Sequence, residues 1–305
     1  MAAIGIVIVT YNSAAEIGAC VDAALTSGAE LIVVDNASKD GTVAEVKRRN
    51  VRLIANLENR GFAAAVNQGF RALSAQYILI LNPDAAIEHG LADLQEACDL
   101  SHSAGACGRL IGDDAESQIG FMVRRLPTPS ALIAEALLLN RLWPGNRINR
   151  RYRALDLDYS RQIEVEQPAG AFLMVRRAVW EELNGFDEGF FPLWFEDVDF
   201  CRRIRDRGYR LYYVPKAVAK HTGGHSIVRI PVEMRRFYWY RSLLRYSARH
   251  FQPGSFRLVC LAVVTGSILR MFGEAVLDRS LQPLVVYGKV ARLASRCLCF
   301  GWGTE

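Results

Sequence analysis

The sequence lacks any cysteine pattern that would build a disulfide scaffold or a zinc site. Its seven cysteines are odd in number, contain no C-x-x-C and match no metal-ligand spacing. A reduced, cytosolic setting is expected, with these thiols acting as small core residues. Also missing are G-x-G-x-x-G and G-x-x-x-x-G-K-[ST], which argues against a dinucleotide dehydrogenase and a P-loop enzyme. No charged leader or cleavage site accompanies the apolar run at residues 4–9, so no signal peptide is expected. The longest later apolar run, residues 258–269, is bracketed by Arg257 and Arg270. That is shorter than the ~20 residues a spanning helix needs. Repeats and low-complexity segments are absent.

What is present is 51% apolar and 23% charged, an ordinary globular balance, with a net charge of +5 placed unevenly. Residues 231–305 hold 11 Lys and Arg against 4 Asp and Glu, so the rest of the chain is slightly acidic. A basic, apolar tail suits an anionic membrane surface better than nucleic acid. Arg241, Arg245 and Arg249 recur every four residues on a helix that also carries Tyr240, Leu243 and Leu244. The same helical faces could instead pack on the protein or form a homodimer contact.

Residues 1–110 alternate apolar strand runs (4–9, 31–34, 51–55, 77–81) with helical stretches (14–27, 42–50, 62–74). Continuous apolar strands separated by helices predict an α/β fold, a mostly parallel sheet covered on both faces. Residues 111–230 complete the same domain, and 231–305 form a helical extension. Within 111–230, residues 141–161 read as a long, Arg-rich polar loop, functional or disordered.

Ligands of parallel sheets sit beyond the carboxyl ends of the strands, so the polar clusters there are the candidates. The first strand ends in Thr10-Tyr11-Asn12. The second ends in Asp35, whose carboxylate can accept from the N3–H of uracil or thymine while Tyr11 covers the ring. Asn36, Ser38 and Asp40 read as turn and cap residues. Asn59-Arg60-Gly61 opens a helix whose N-terminus suits a diphosphate, Gly61 allowing close backbone approach. Asn82 and Asp84 offer two oxygens to one Mg²⁺ or Mn²⁺, although N-P-D is equally a turn sequence. His221 could complete such a site as neutral imidazole. Glu196-Asp197-Val198-Asp199 follows Trp194-Phe195 at a helix start. Acids there complement the helix dipole, and Asp199 with Arg203 is an i,i+4 pair. Glu196 and Asp197 remain to face a pocket, and desolvation beside aromatic rings makes a carboxylate a better base.

In order and spacing, VTYN, VVDNASKDGT, NRGFAAAVNQG, LNPDA and GFDEGFFPLWFEDVDFCRRIRDRGYRLYYVPKAVAKH resemble the family 2 glycosyltransferases, in their rhamnosyltransferase-like branch, over residues 4–230. The resemblance implies a Rossmann-like GT-A fold and a nucleotide-sugar donor held at its base by Thr10, Tyr11 and Asp35. It places Asn82 and Asp84 at the family's metal-binding D-x-D, with Asn82 in place of the first Asp, and His221 where some relatives complete the metal site. Asp197 falls at the catalytic base of a single displacement with inversion. The expected donor is dTDP- or UDP-linked, with dTDP-rhamnose favoured by the branch. The acceptor would be a saccharide or lipid-linked saccharide of bacterial surface polysaccharide synthesis, met at the inner face of the cell membrane. A nucleotidyltransferase is a rival, but it would carry a Gly- and Arg-rich loop where Thr10-Tyr11-Asn12-Ser13 stands. A non-catalytic sugar-nucleotide-binding module would lack the acidic cluster.

Overall fold

The computed structural model describes residues 3–223, 230–277 and 280–303. The chain forms two compact units. One comprises Met1–Leu126, Asp156–Pro192 and Glu196–Arg229, and the other Pro127–Leu155, Leu193–Phe195 and Ile230–Glu305.

The first unit opens with β1 (Ile4–Thr10), α1 (Ile17–Leu25), β2 (Glu30–Asp35), α2 (Thr42–Lys47), β3 (Arg52–Ala55), α3 (Phe62–Ala72) and β4 (Tyr77–Leu81). It continues through β5 (Ala85–His89), α4 (Leu91–Cys98), β6 (Ser103–Ile111) and β7 (Val123–Arg124). The second unit's α5 (Pro129–Ala136), α6 (Leu139–Leu142) and α7 (Arg147–Tyr152) intervene. The first then resumes with β8 (Ile163–Val165), β9 (Gln167–Pro168), β10 (Phe172–Arg176), α8 (Arg177–Glu182), α9 (Glu196–Asp206) and β11 (Arg210–His221). The chain ends in α10 (Val232–His250), α11 (Pro253–Leu277) and α12 (Gln282–Phe300).

The main sheet runs β3-β2-β1-β4-β10-β6-β11-β5, with β8 also on β11. The first four strands are parallel, as their unbroken apolar runs predict, and Ile6, Ile8, Ile32 and Leu79 are fully buried. Their register pairs Thr10 with Asp35 and Asp35 with Ala55, so the polar clusters of three strands end at one level. β10 inserts antiparallel between β4 and β6. β11 is one long strand rather than two short ones, and a register shift between Val214 and Val218 absorbs Pro215. Its antiparallel pairing with β5 sets His221 opposite Ala85, beside Asp84.

In the second unit, Thr128 caps α5 by accepting from the Ala131 N–H, with Pro129 at the first helical position. The expected long loop at 141–161 is instead ordered by amides. Asn146 caps α7 through the Asn149 N–H and donates to Asn140 Oδ1 and Trp143 O, while Asn149 donates to Pro144 O. All three asparagines are buried.

The terminal helices sharpen the sequence reading in two ways. On α10, Tyr240, Leu243 and Leu244 are buried, which matches the packing alternative for that face rather than a membrane contact. α11 extends over 25 residues, well past the run that stopped at Arg270, and by length and composition it is apolar enough to cross a membrane. Arg270 does not end the helix because its charge has a use inside the unit. It is buried beneath the Tyr240 ring and donates to Glu135 O and Ala136 O, the carbonyl-rich end of α5. Gly266 permits this approach, since a Cβ there would lie 1.9 Å from Ala136 O. No cysteine is paired, and six of the seven are buried, as expected of core thiols.

Candidate active site

The loops after β1 and β2 are laced together. The Asn12 N–H donates to Ser38 Oγ, Asn12 Oδ1 accepts from the Lys39 N–H, and the Ser13 N–H donates to Thr42 Oγ1. Asp35 is buried and holds its own turn, accepting from Ser38 N–H at one oxygen and from Ser38 O–H at the other. Thr10 is fully buried, and its hydroxyl has no hydrogen-bond partner among the described residues. Tyr11 is half-buried.

Asn36, expected to be a turn residue, ties three segments together. Its amide donates to Asn59 Oδ1 (3.0 Å) and Gly61 O (3.1 Å), and its carbonyl oxygen accepts from the Arg60 N–H (3.0 Å) and from Asn56 Nδ2. Asn59 Oδ1 also accepts from the Gly61 N–H, so this asparagine braces its own loop. Gly61 is required for a reason besides the one its sequence context suggests. Its φ is +83°, and a Cβ would lie 2.9 Å from the Phe191 ring and 3.2 Å from Pro192 O. The first N–H of α3, at Phe62, donates to that same Pro192 carbonyl. The glycine's close neighbour is thus the protein's own chain, five residues before Asp197.

Asn82 and Asp84 flank the end of β4, and β5 then carries the chain alongside β11. Asp84 Oδ1 and His221 Nε2 lie 3.5 Å apart, with both side chains more than nine-tenths buried. The Nε2 atom has no hydrogen-bond partner among the described residues. Among those residues no three His, Cys, Asp or Glu side chains converge, so the protein offers an N/O pair plus the half-buried Asn82. That donor set fits Mg²⁺ or Mn²⁺, which take one or two carboxylates and share the remaining positions with substrate phosphates and water. The orphaned imidazole nitrogen beside a carboxylate is the observation that supports the fit.

The acidic cluster starts α9 after two consecutive aromatic residues in the left-handed region, Trp194 (φ +75°) and Phe195 (φ +71°). Bulky side chains disfavour that conformation. Asp199 is fully buried and binds Arg203 at 2.7 Å, as its spacing predicts, and Arg203 also donates to Leu183 O and Gly185 O. Asp197 stays partly exposed, with Oδ2 accepting from the Gly170 N–H (3.1 Å) and Oδ1 from its neighbour Val198 N–H (2.8 Å). Burial pushes its carboxyl above the ordinary range, while those N–H groups and the Arg124 guanidinium pull it back. Glu196 is pushed much further up, by burial first and by the Asp197 charge second. Its Oε2 has no hydrogen-bond partner among the described residues. Two adjacent carboxyls are thereby separated in character, Glu196 being pushed further toward its neutral form than Asp197.

Residues 5–183 match the sequence model described as glycosyl transferase family 2, and residues 150–227 match the one described as the N-terminal domain of galactosyltransferase. The chain is 30% identical over 270 residues to the N-acetylglucosaminyl-diphospho-decaprenol L-rhamnosyltransferase of Mycobacterium tuberculosis, covering 79% of this chain and 85% of that one. It is 32% identical over 194 residues to the rhamnosyltransferase WbbL of Escherichia coli, covering 63% of this chain and 69% of WbbL. In fold it is similar to the mannosyltransferase PcManGT of Pyrobaculum calidifontis, solved in complex with GDP-Man and Mn²⁺. The TM-score is 0.55 at 16% identity, over 100% of this chain and 88% of that one.

Proposed function

The chain belongs to glycosyl transferase family 2, and from that premise we propose that it moves rhamnose from a dTDP- or UDP-linked donor to a lipid-linked saccharide acceptor. The setting is bacterial surface polysaccharide synthesis, and the reaction is a single displacement with inversion. The observation that carries this reading is Asp197, a partly exposed residue whose carboxylate is oriented by two backbone N–H groups at the start of α9.

Asp197 takes the proton from the acceptor hydroxyl as that oxygen attacks the anomeric carbon and the bond to the nucleoside diphosphate breaks. One base and no enzyme nucleophile suffice for such a step. Thr10, Tyr11 and Asp35 hold the nucleotide base, with the orphaned Thr10 hydroxyl free to bond it. Asn12, Asn59 and Gly61 shape the donor loops around it. Asn82, Asp84 and His221 would hold Mg²⁺ or Mn²⁺, which when bound supplies positive charge to the leaving diphosphate. The test is product identity. Donor and acceptor incubated with enzyme should yield free nucleoside diphosphate, whereas release of pyrophosphate would make the protein a nucleotidyltransferase.

The lipid-linked acceptor is met at an anionic membrane surface through the second unit. Two features support this. α11 exposes Leu258, Leu261, Ile268 and Phe272 along one face, and Leu142 and Trp143 stand exposed between Arg141 and Arg147. Apolar groups interleaved with cations, Trp among them, suit a headgroup interface. Full-length protein should float with anionic vesicles at low salt and dissociate as salt rises. Protein that stays in the soluble fraction and runs as a dimer would make these faces a subunit contact.

A further inference from the structure

The segment between β6 and β7 has no periodic pattern and none of the site residues expected from sequence, yet it grips His221. Gln118 Nε2 donates to the backbone oxygen of His221 at 2.7 Å. A carbonyl oxygen can only accept, so this contact settles which end of the Gln118 amide is which. The other end, Oε1, lies 2.8 Å from His221 Nδ1 and has no hydrogen to give. Nδ1 must therefore carry the proton, which in a neutral imidazole leaves Nε2 as a bare lone pair. That atom is the one 3.5 Å from Asp84 Oδ1.

The grip is itself anchored. The Phe121 ring stacks on the imidazole at 5.2 Å and 8°. The Gln118 N–H donates to Leu110 O and Gln118 O accepts from the Met122 N–H, while Arg109 donates to Ser117 Oγ. The Gln118 backbone is thus held from both sides along the chain, independently of His221.

We infer that Gln118 is a positioning residue that locks His221 in the Nδ1–H tautomer and so presents Nε2, with Asp84, as a ready N/O pair for a divalent cation. The inference rests on the proposed metal reading of Asp84 and His221. Histidine ligands are commonly oriented this way, through a hydrogen bond from the ring nitrogen that does not bind metal.

Two measurements on the full chain separate the inference from that reading. The first is long-range ¹H–¹⁵N NMR of the histidine rings in metal-free, ¹⁵N-His-labelled protein, with His221 assigned by its loss in His221→Gln. A neutral ring protonated at Nδ1 is expected; a ring protonated at Nε2, or at both nitrogens, overturns the inference whatever the metal does. The second is Mn²⁺ titration followed by electron paramagnetic resonance, in the presence of UDP and separately of dTDP. Gln118→Leu should bind Mn²⁺ roughly 10–100-fold more weakly than wild type. Gln118→Glu, which keeps an acceptor for Nδ1–H, should stay within a few-fold. Thermal unfolding of both variants without metal checks that they are folded. Equal Mn²⁺ affinity in wild type and a folded Gln118→Leu overturns the inference, as does Gln118→Glu losing as much as Gln118→Leu. If the wild-type ring is protonated at Nδ1 but no Mn²⁺ binds with either nucleotide, the metal reading falls and the positioning claim falls with it.

Discussion

The two ends of the candidate site treat their polar atoms differently. At the ends of β1, β2 and β3, side chains bond to one another and to the loops. Asn36 makes contacts with Asn59, Gly61, Arg60 and Asn56, and Asp35 has both oxygens engaged by Ser38. Around the acids, His221 Nε2 and Glu196 Oε2 are buried with no hydrogen-bond partner among the described residues. Buried polar atoms left unbonded are costly, so a fold keeps them where something else is to be bound or where a group stays neutral. His221 fits the first case, and Glu196, pushed toward its neutral form by burial, fits the second. The donor end fixes loop shape, and the acid end holds chemistry in reserve. Thr10 Oγ1 is the exception at the donor end, and for the same reason it is the atom there best suited to a ligand.

The contrast is broken most strongly at Asp197. Asp197→Asn keeps the shape and removes the base, so turnover should fall ~10²–10⁴-fold with donor affinity nearly unchanged. A variant keeping more than about a tenth of the wild-type rate would move the base elsewhere. The pH profile sharpens the assignment. A base works only when deprotonated, so kcat/KM should rise with pH through the pKa of Asp197 and be lost below it. Burial raises that pKa, so the acid limb should lie above the ordinary aspartate value of about 3.9. The residual activity of Asp197→Asn should lack that limb.

A smaller effect is expected at the donor end. Asn36→Ala removes no catalytic group but strips the Arg60 N–H of its partner and leaves Gly61 O with the Ala65 N–H alone. Losing the Asn36 bonds costs on the order of 2 kcal/mol, equivalent to a Tm lower by roughly 4–8 °C. Donor affinity should fall with it, because the loop that Asn36 holds would no longer be fixed. An unchanged Tm would mean that the lacing is dispensable and that the two ends differ less than their hydrogen bonds suggest.

β1 to β4 and α1 to α3 were legible because local pattern determines them. Residues 4–9 and 77–81 are apolar without a break, and α3 begins where Gly61 allows the chain to turn. Asp84 and His221 could be named from sequence, but not that they meet, since that depends on β5 pairing with a strand more than a hundred residues later. Asn36 and Gln118 escaped for a related reason. An asparagine after a strand looks like any turn residue, and Gln118 lies in a segment with no periodicity. The partners of both are distant in sequence, at 59–61 and at 221. The order in 141–155 escaped as well, because buried asparagines bonded to nearby backbone look, in sequence, like a polar loop.

Arg270 bears on how the charge of the C-terminal region is counted. Its guanidinium is enclosed and directed at the carbonyl end of α5, where it acts as an internal counter-charge. Mobile ions in solution cannot screen it as they screen an exposed side chain, and no external anion can reach it. The 11 cations of residues 231–305 are therefore a ceiling on what an ionic-strength titration would detect, and the slope of such a titration would report the solvent-facing subset alone.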